Sequence, residues 1–215
     1  MKKRILCFGD SNTWGYAPNG ERYDETIRWP MRMAAMLGDD YIVVEEGFNG
    51  RTTVLDDPSE GGYKSGANYL PPCLMTHNPL DLVILMLGTN DTKCRFGMSA
   101  FAISQGMTQL IKLTRIYAEN RDKQPPRILL VSPVPNGDWI METLMGPIFG
   151  GQSPEVSRDL ADTYRKLALQ EKIDYLDAGA LAETSREDAI HLSPEGQIAL
   201  ANGIGAKVRA ILEGK

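Results

Sequence analysis

LVILMLGTND, residues 82–91, sets six apolar residues in a row against a stop of glycine, threonine, asparagine and aspartate. An uninterrupted apolar run of that length, closed by turn residues, suits a strand buried on both faces of a parallel sheet. Similar runs lie on either side: Arg4 to Phe8 (RILCF), Tyr41 to Val44 (YIVV), Arg127 to Ser132 (RILLVS) and Ile173 to Leu176 (IDYL). Helical periods fill the intervals. Trp29 to Leu37 predicts a short helix stopped by Gly38. Ala100 to Asn120 predicts a long amphipathic one, with Ile103, Met107, Leu110, Ile111 and Leu113 near one face, and Glu155 to Glu171 predicts a third. The last runs from Pro194 to Leu212, with Ser193 as N-cap and Pro194 at the first helical position. Strands alternating with helices predict an α/β fold, a doubly wound sandwich, and residues 1–215 read as a single domain.

Composition excludes several classes. The net charge is −5, with no basic stripe, so nucleic acid is not an expected partner. No apolar run approaches the roughly 20 residues that span a bilayer, so no membrane is expected either. Met1-Lys2-Lys3-Arg4 precedes an apolar run of only five residues. A signal-peptide core needs about 7–15, so the run reads as a first strand and the protein as cytoplasmic. Cys7, Cys73 and Cys94 are odd in number and form no C-x-x-C pair, which argues against a disulfide framework or a zinc knuckle. Asn90-Asp91-Thr92 matches a glycosylation sequon but directly follows the buried strand, and the match reads as accidental.

Two stretches break the rhythm. Asn49 to Asn68 is polar and glycine-rich; Pro133 to Ser153 carries Trp139, Ile140, Met141, Leu144, Met145, Ile148 and Phe149. Loops of this length in a compact domain are commonly functional. The apolar content of the second predicts that it covers either the site or a partner subunit.

In α/β sheets, sites form beyond the C-terminal ends of the strands. The residues found there are Gly9-Asp10-Ser11-Asn12, Gly47-Phe48-Asn49-Gly50-Arg51 and Gly88-Thr89-Asn90-Asp91, and Asp188-Ala189-Ile190-His191 precedes the last helix. Acyl transfer is the chemistry they offer. A serine hydroxyl is a poor nucleophile until a base takes its proton. Of the two histidines, His77 and His191, only His191 has a carboxylate three residues upstream, which a helical turn would bring to the same face. Asp188 then holds one ring nitrogen and leaves the other for Ser11, in the chain order Ser, Asp, His. The backbone N–H groups that follow Ser11, the Gly50 N–H and the Asn90 amide are candidate donors to an oxyanion. The G-x-S-x-G elbow is absent, so the α/β-hydrolase fold is not expected.

These four segments resemble the sequence blocks of the SGNH (GDSL-like) hydrolases: Gly9-Asp10-Ser11, Gly50, Gly88-x-Asn90-Asp91 and Asp188-x-x-His191. The resemblance covers nearly the whole chain. It is closest in RILCFGDSNTWGY (4–16), EEGFNGRTTVLDDP (45–58) and NYLPPCLMTHNPLDLVILMLGTNDTK (68–93), which are similar to the bacterial arylesterase/acyltransferase branch. It implies a flavodoxin-like three-layer α/β/α sandwich with a five-stranded parallel sheet. Ser11, Asp188 and His191 would be the triad, and the Ser11 and Gly50 N–H groups with the Asn90 side chain would form the oxyanion hole. Asp10, Arg51 and Asp91 would support the loops. It further implies small-acyl ester substrates, possible acyl transfer to alcohols, no cofactor and a homo-octamer in which Pro133 to Ser153 narrows the site. The chain departs from that branch at Asn12, where the GDSL name has Leu, at Tyr16, where the branch has Trp, and in a short Pro18 to Ile27 loop.

Competing readings remain at this level. A carbohydrate deacetylase or a thioesterase would use the same triad, and a flavodoxin-like binding module would share the strand–helix alternation. His77 reads as a capping or packed histidine. Asp56-Asp57, before Pro58, reads as a solvated loop rather than a carboxylate pair for glycoside chemistry. Two histidines and scattered carboxylates show no metal motif, so no metal is expected. Gly203-x-Gly205 sits inside a helix pattern and follows no strand, so it is not a dinucleotide fingerprint.

Overall fold

The computed structural model describes residues 1–214. Its five strands are β1 (Lys3–Gly9), β2 (Tyr41–Gly47), β3 (Leu82–Met86), β4 (Arg127–Ser132) and β5 (Asp174–Asp177), all parallel, in the order β2-β1-β3-β4-β5. The helices are α1 (Ser11–Trp14), α2 (Trp29–Leu37), α3 (Gly66–His77), α4 (Ala100–Tyr117), α5 (Gly146–Phe149), α6 (Ser153–Glu171) and α7 (Pro194–Glu213). Alternation along each strand sorts the core into two layers. Leu6, Phe8, Val83, Leu85 and Leu130 pack under Leu70 and Leu74 of α3, Ile103, Met107 and Leu110 of α4, and Leu160 and Tyr164 of α6. Ile5, Cys7, Leu82, Ile84 and Leu129 face Trp29 and Met33 of α2 and Leu200, Ile204 and Val208 of α7. Burial of large side chains on both faces, at about 25 cal/mol per Å² of apolar surface, is what holds this arrangement together.

Several element boundaries differ from the sequence reading, and the causes are local. β2 continues past Val44 through Glu45 and Glu46. It is an edge strand, so those carboxylates stay partly exposed and find partners: Glu45 accepts two bonds from Arg28, at 2.8 and 2.7 Å, and Glu46 meets His77. α3 begins inside the segment read as loop, capped by Ser65, whose Oγ accepts from the Asn68 N–H at 3.3 Å. α4 ends at Tyr117, three residues early, and β5 is displaced by one residue to Asp174–Asp177. α7 starts at Pro194 as predicted, with Ser193 accepting from the Gly196 N–H at 3.2 Å.

Register places the site. Gly9 pairs with Gly47 and Met86, so β1, β2 and β3 end level with one another. Gly88 turns the chain after β3 at φ +127°, and a Cβ there would lie 2.8 Å from the buried Tyr164 hydroxyl, which donates to the Leu87 carbonyl at 3.0 Å. Only glycine fits that corner.

Candidate active site

Ser11 is the first residue of α1, directly after β1. Asp10 caps this short helix: its Oδ1 accepts the Asn12 N–H at 3.0 Å, which fixes the turn that presents Ser11. His191 Nε2 lies 3.0 Å from Ser11 Oγ, and Nδ1 lies 2.6 Å from Asp188 Oδ2. All three residues are 6% exposed, so the line of hydrogen bonds is largely shielded from water. The Asp188–His191 segment is not the helical turn that the i, i+3 spacing suggested. Asp188 Oδ1 instead accepts the N–H groups of Ile190 (2.9 Å) and His191 (2.8 Å), and Ala189 between them takes a left-handed φ of +65°. An aspartate that bonds its own following backbone competes with helix, and here it wins. Burial acts to raise the Asp188 pKa, but its hydrogen bonds and charge contact with His191 and the backbone hold it below the ordinary aspartate value. The carboxylate is therefore ionised where it meets the imidazole.

A cavity of about 160 Å³ opens over Ser11 and His191. Gly50, Asn90, Asn49, Glu60 and Lys93 share its lining, with Tyr16, Met145, Ile148, Phe149 and Ile190 making the apolar wall. Gly50 has φ +79°, so its N–H is carried by a conformation that a side chain would strain. Asn90 Nδ2 spends one hydrogen on the Arg51 carbonyl at 3.1 Å and retains a second. The three donors expected from the sequence thus line the same cavity as the serine hydroxyl.

The surrounding loops are cross-tied. Arg51, buried, donates from Nη1 to the carbonyls of Gly9 (2.9 Å) and Glu46, with its guanidinium 4.2 Å from the Phe8 ring centre. Burial lowers its pKa to about 10, which leaves it cationic at neutral pH. Asp91 accepts the Thr53 N–H at 3.0 Å and the Thr53 hydroxyl at 2.5 Å, joining the loop after β3 to the loop after β2. Burial pushes the carboxyls of Asp10 and Asp91 up to about 6, although hydrogen bonds to each pull the other way.

Some features were not foreseen. Asn12 Nδ2 donates to the Ile190 carbonyl (3.2 Å), and Asn12 Oδ1 accepts the Leu192 N–H (3.1 Å). One amide thereby clamps the backbone on both sides of His191 to the nucleophile helix. The Tyr16 ring lies over the His191 imidazole, with centroids 4.3 Å apart. Asp57, read as a solvated loop residue, is buried. Lys93 (3.3 Å) and Arg95 (2.5 Å) both reach it and also bind Glu60, and against the cost of burial they lower its pKa. Those two cations are 36 and 38 residues away in sequence, so nothing near Asp57 signalled them. Of the two coverings expected of the Pro133 to Ser153 segment, that of the site is seen: Met145, Ile148 and Phe149 wall the cavity, Ile140 and Phe149 pack with Ala189 and Ile190, and Met141 and Leu144 remain exposed. Away from the cavity, His77 ends α3 and meets Glu46, and Cys73 joins them. The spacing Cys73-x-x-x-His77 was the available signal for that cluster.

Comparison with known proteins places this geometry in context. The sequence profile of the GDSL-like Lipase/Acylhydrolase family matches residues 7–199. A carbohydrate acetylesterase family member from Sinorhizobium meliloti superposes with a TM-score of 0.91 at 38% identity, covering 98% of this chain and 99% of that one. The aryl esterase of M. smegmatis superposes with a TM-score of 0.88 at 39% identity, covering 98% of this chain and 100% of that one. Both superpose over nearly their whole length, so they share the fold of this chain. An acetylxylan esterase of Xylanibacter ruminicola is 25% identical over 226 residues, 96% of this chain. The chain spans only 43% of the length of that relative.

Proposed function

The chain belongs to the GDSL-like lipase/acylhydrolase family as an esterase of the SGNH type, and we propose that it cleaves small, acetyl-type esters through an acyl-enzyme on Ser11. The observation that carries this reading is the continuous hydrogen-bond line Asp188–His191–Ser11 ending inside a cavity of about 160 Å³. His191 Nε2 takes the Oγ proton as Oγ attacks the acyl carbon. The resulting oxyanion receives hydrogen bonds from the Ser11 and Gly50 N–H groups and the Asn90 amide. Imidazolium then protonates the leaving alcohol, and the acyl group stays on Ser11. A water, deprotonated by the same nitrogen, attacks the acyl-enzyme, and the carboxylate product leaves with Ser11 restored. Asp188 holds the ring tautomer and stabilises the imidazolium throughout. The small volume and the wall of Met145, Ile148, Phe149 and Ile190 favour short acyl chains.

A second reading concerns the alcohol half of the substrate. Asn49, Glu60 and Lys93 give one side of the cavity a polar rim. That rim suits a polyhydroxylated leaving group, so acetylated carbohydrate is a favoured substrate class, with thioesters the alternative. Side-by-side turnover of an aryl acetate, an acetylated sugar and an acyl thioester tests both readings. Hydrolysis of the two oxygen esters, falling with acyl length, is expected. A folded enzyme that turns over none of the three is not an esterase of this kind.

Assembly, location and acyl transfer belong to the same proposal. No helix among the described residues is long and apolar enough to cross a membrane, and the three cysteines are unpaired. Those free thiols support a cytoplasmic location. Met141 and Leu144, 60% and 93% exposed on the segment that also walls the cavity, support burial against another copy in a homo-oligomer, an octamer. Such an interface would narrow the entrance and favour acyl transfer to alcohols over hydrolysis. Sizing at micromolar concentration checks the assembly, a monomer rejecting it. Product analysis of an aryl acetate reaction with added alcohol checks the transfer, free acetate alone rejecting it.

A further inference from the structure

Beyond the catalytic cavity, three side chains of metal-ligating type meet between α3 and β2. Cys73 and His77 are four residues apart, hence on one face of α3, and Glu46 reaches them from β2. The sulfur, an imidazole nitrogen and a carboxylate oxygen all lie within 4.8 Å of one another. His77 Nε2 is 2.8 Å from Glu46 Oε1, and the Tyr69 hydroxyl donates to Glu46 Oε2 at 3.3 Å. Cys73 is buried, whereas the side chains of His77 and Glu46 are 24% and 20% exposed. Glu46 also borders a cleft of about 600 Å³ shared with Arg51, Tyr63 and Tyr69.

We propose that Glu46, Cys73 and His77 form a binding site for a thiophilic divalent cation of the zinc class, the three protein ligands leaving a fourth position to solvent. Thiolate, imidazole and carboxylate together suit a borderline-soft ion, and all three are zinc ligands. Zinc takes sulfur at ~2.3 Å and nitrogen or oxygen at ~2.0–2.2 Å, so tetrahedral ligand atoms stand roughly 3.3–3.8 Å apart. The observed cluster needs only small side-chain adjustments to reach that spacing. The Arg51 charge reaches both Glu46 and Cys73, but its guanidinium is bonded to the Gly9 and Glu46 backbone carbonyls and lies over Phe8, so it occupies neither ligand side chain, and the carboxylate and thiolate supply the charge that offsets it. The Tyr69 hydroxyl serves as the outer partner that orients the Glu46 carboxylate.

Proton balance is simple. Burial, and then the Glu46 carboxylate, push the Cys73 thiol up to about 12, so the metal-free thiol keeps its proton at neutral pH. A coordinating cation displaces that proton to solvent, as it does for coordinated thiols generally. It also replaces the hydrogen bond between His77 and Glu46. The bound ion ties the end of β2 to α3, one residue before the Gly47-to-Arg51 turn that carries a proposed oxyanion donor. The site stands on its own residues and does not depend on Ser11 acting as a nucleophile.

Cobalt(II) titrated into the metal-free, folded full chain tests this directly, because thiolate-bound cobalt absorbs in the near ultraviolet. A thiolate-to-cobalt charge-transfer band saturating at one equivalent per chain is expected. It should vanish in Cys73→Ser, persist in Cys94→Ser and need at least about tenfold more cobalt in His77→Ala. Added zinc should displace the cobalt and raise the melting temperature. A wild-type chain with no such band overturns the proposal, as does a band lost in Cys94→Ser. If Cys73→Ser does not fold, the wild-type titration with Cys94→Ser and His77→Ala still decides it.

Discussion

Replacing Asp188 by asparagine should abolish most turnover while leaving the fold in place, for a reason visible in three hydrogen bonds. Asp188 Oδ1 accepts the N–H groups of Ile190 and His191 at 2.9 and 2.8 Å, and Oδ2 faces His191 Nδ1 at 2.6 Å. Two backbone donors cannot face an amide NH₂, so the asparagine oxygen must occupy the Oδ1 place. Its NH₂ then points at Nδ1 and donates to it. The ring proton is forced onto Nε2, directed at Ser11 Oγ, and the base is blocked in the wrong tautomer. Loss of the correct tautomer in a triad costs about 10⁴ in kcat, equivalent to about 5 kcal/mol of barrier. Both backbone bonds survive, so the unfolding free energy should shift by less than ~1 kcal/mol. Asp188→Ala also removes the side-chain oxygen that accepts both backbone N–H groups and should cost about 1–3 kcal/mol for each N–H left bare. Steady-state hydrolysis of an aryl acetate and urea unfolding of both variants give the numbers. An Asp188→Asn enzyme within tenfold of wild-type kcat would refute the role assigned to Asp188. A loss of activity matched by a loss of folded protein would refute the bonding argument.

Three further outcomes follow from the same geometry. Asn90→Ala should lower kcat by about 10²–10³ with a smaller change in KM, and a change in KM alone would make Asn90 a substrate contact instead. Asn12→Leu, which restores the residue of the GDSL name, should strand the Ile190 carbonyl and Leu192 N–H at a cost of about 1–3 kcal/mol each and lower kcat as His191 loses its clamp. Unchanged stability and kcat would contradict this. Asp10 and Asp91 have folded-state pKa values of about 6, above the ordinary 3.8. Each therefore takes up a proton on folding between those pH values. Its contribution favours the fold in acid and is lost as pH rises through about 6, by up to ~1.4 kcal/mol per pH unit. Asp188 works in the opposite sense, its contribution being lost on acidification. Urea unfolding of Asp10→Asn from about pH 4 to 7 should show a reduced loss of stability with rising pH, because asparagine keeps the helix cap without the titration. An unchanged slope would show that Asp10 is not the titrating group.

Much of the fold was legible because buried parallel strands are continuous apolar runs, and β3 and β4 were read to within a residue. β2 was cut short because Glu45 and Glu46 look like an ending. Their partners, Arg28 and His77, are 17 and 31 residues distant. Glycine and polar residues ahead of α3, and Pro71-Pro72 within it, hid its start. In the candidate site, the residue types and their strand-end positions were readable, since a nucleophile, a base and a carboxylate have recognisable roles. The shape of the Asp188 turn was not, because spacing alone cannot tell a helical turn from one in which the aspartate captures its own backbone. Asn12 registered only as a departure from a motif. Its bonds to Ile190 and Leu192 arise from contacts across about 180 residues, which no local pattern encodes.

The central claim is that Ser11 attacks an acyl carbon, and covalent capture tests it most directly. The folded protein is treated with an aryl phosphonofluoridate, which reacts with a serine nucleophile and mimics the tetrahedral intermediate. The intact mass and the modified peptide are then determined. One adduct per chain, on the peptide containing Ser11, is expected, together with loss of aryl acetate hydrolysis in step with labelling. Ser11→Ala should take no label, and His191→Ala should take it far more slowly. A fully active, unlabelled protein, or activity lost through an adduct on another residue, would contradict the account.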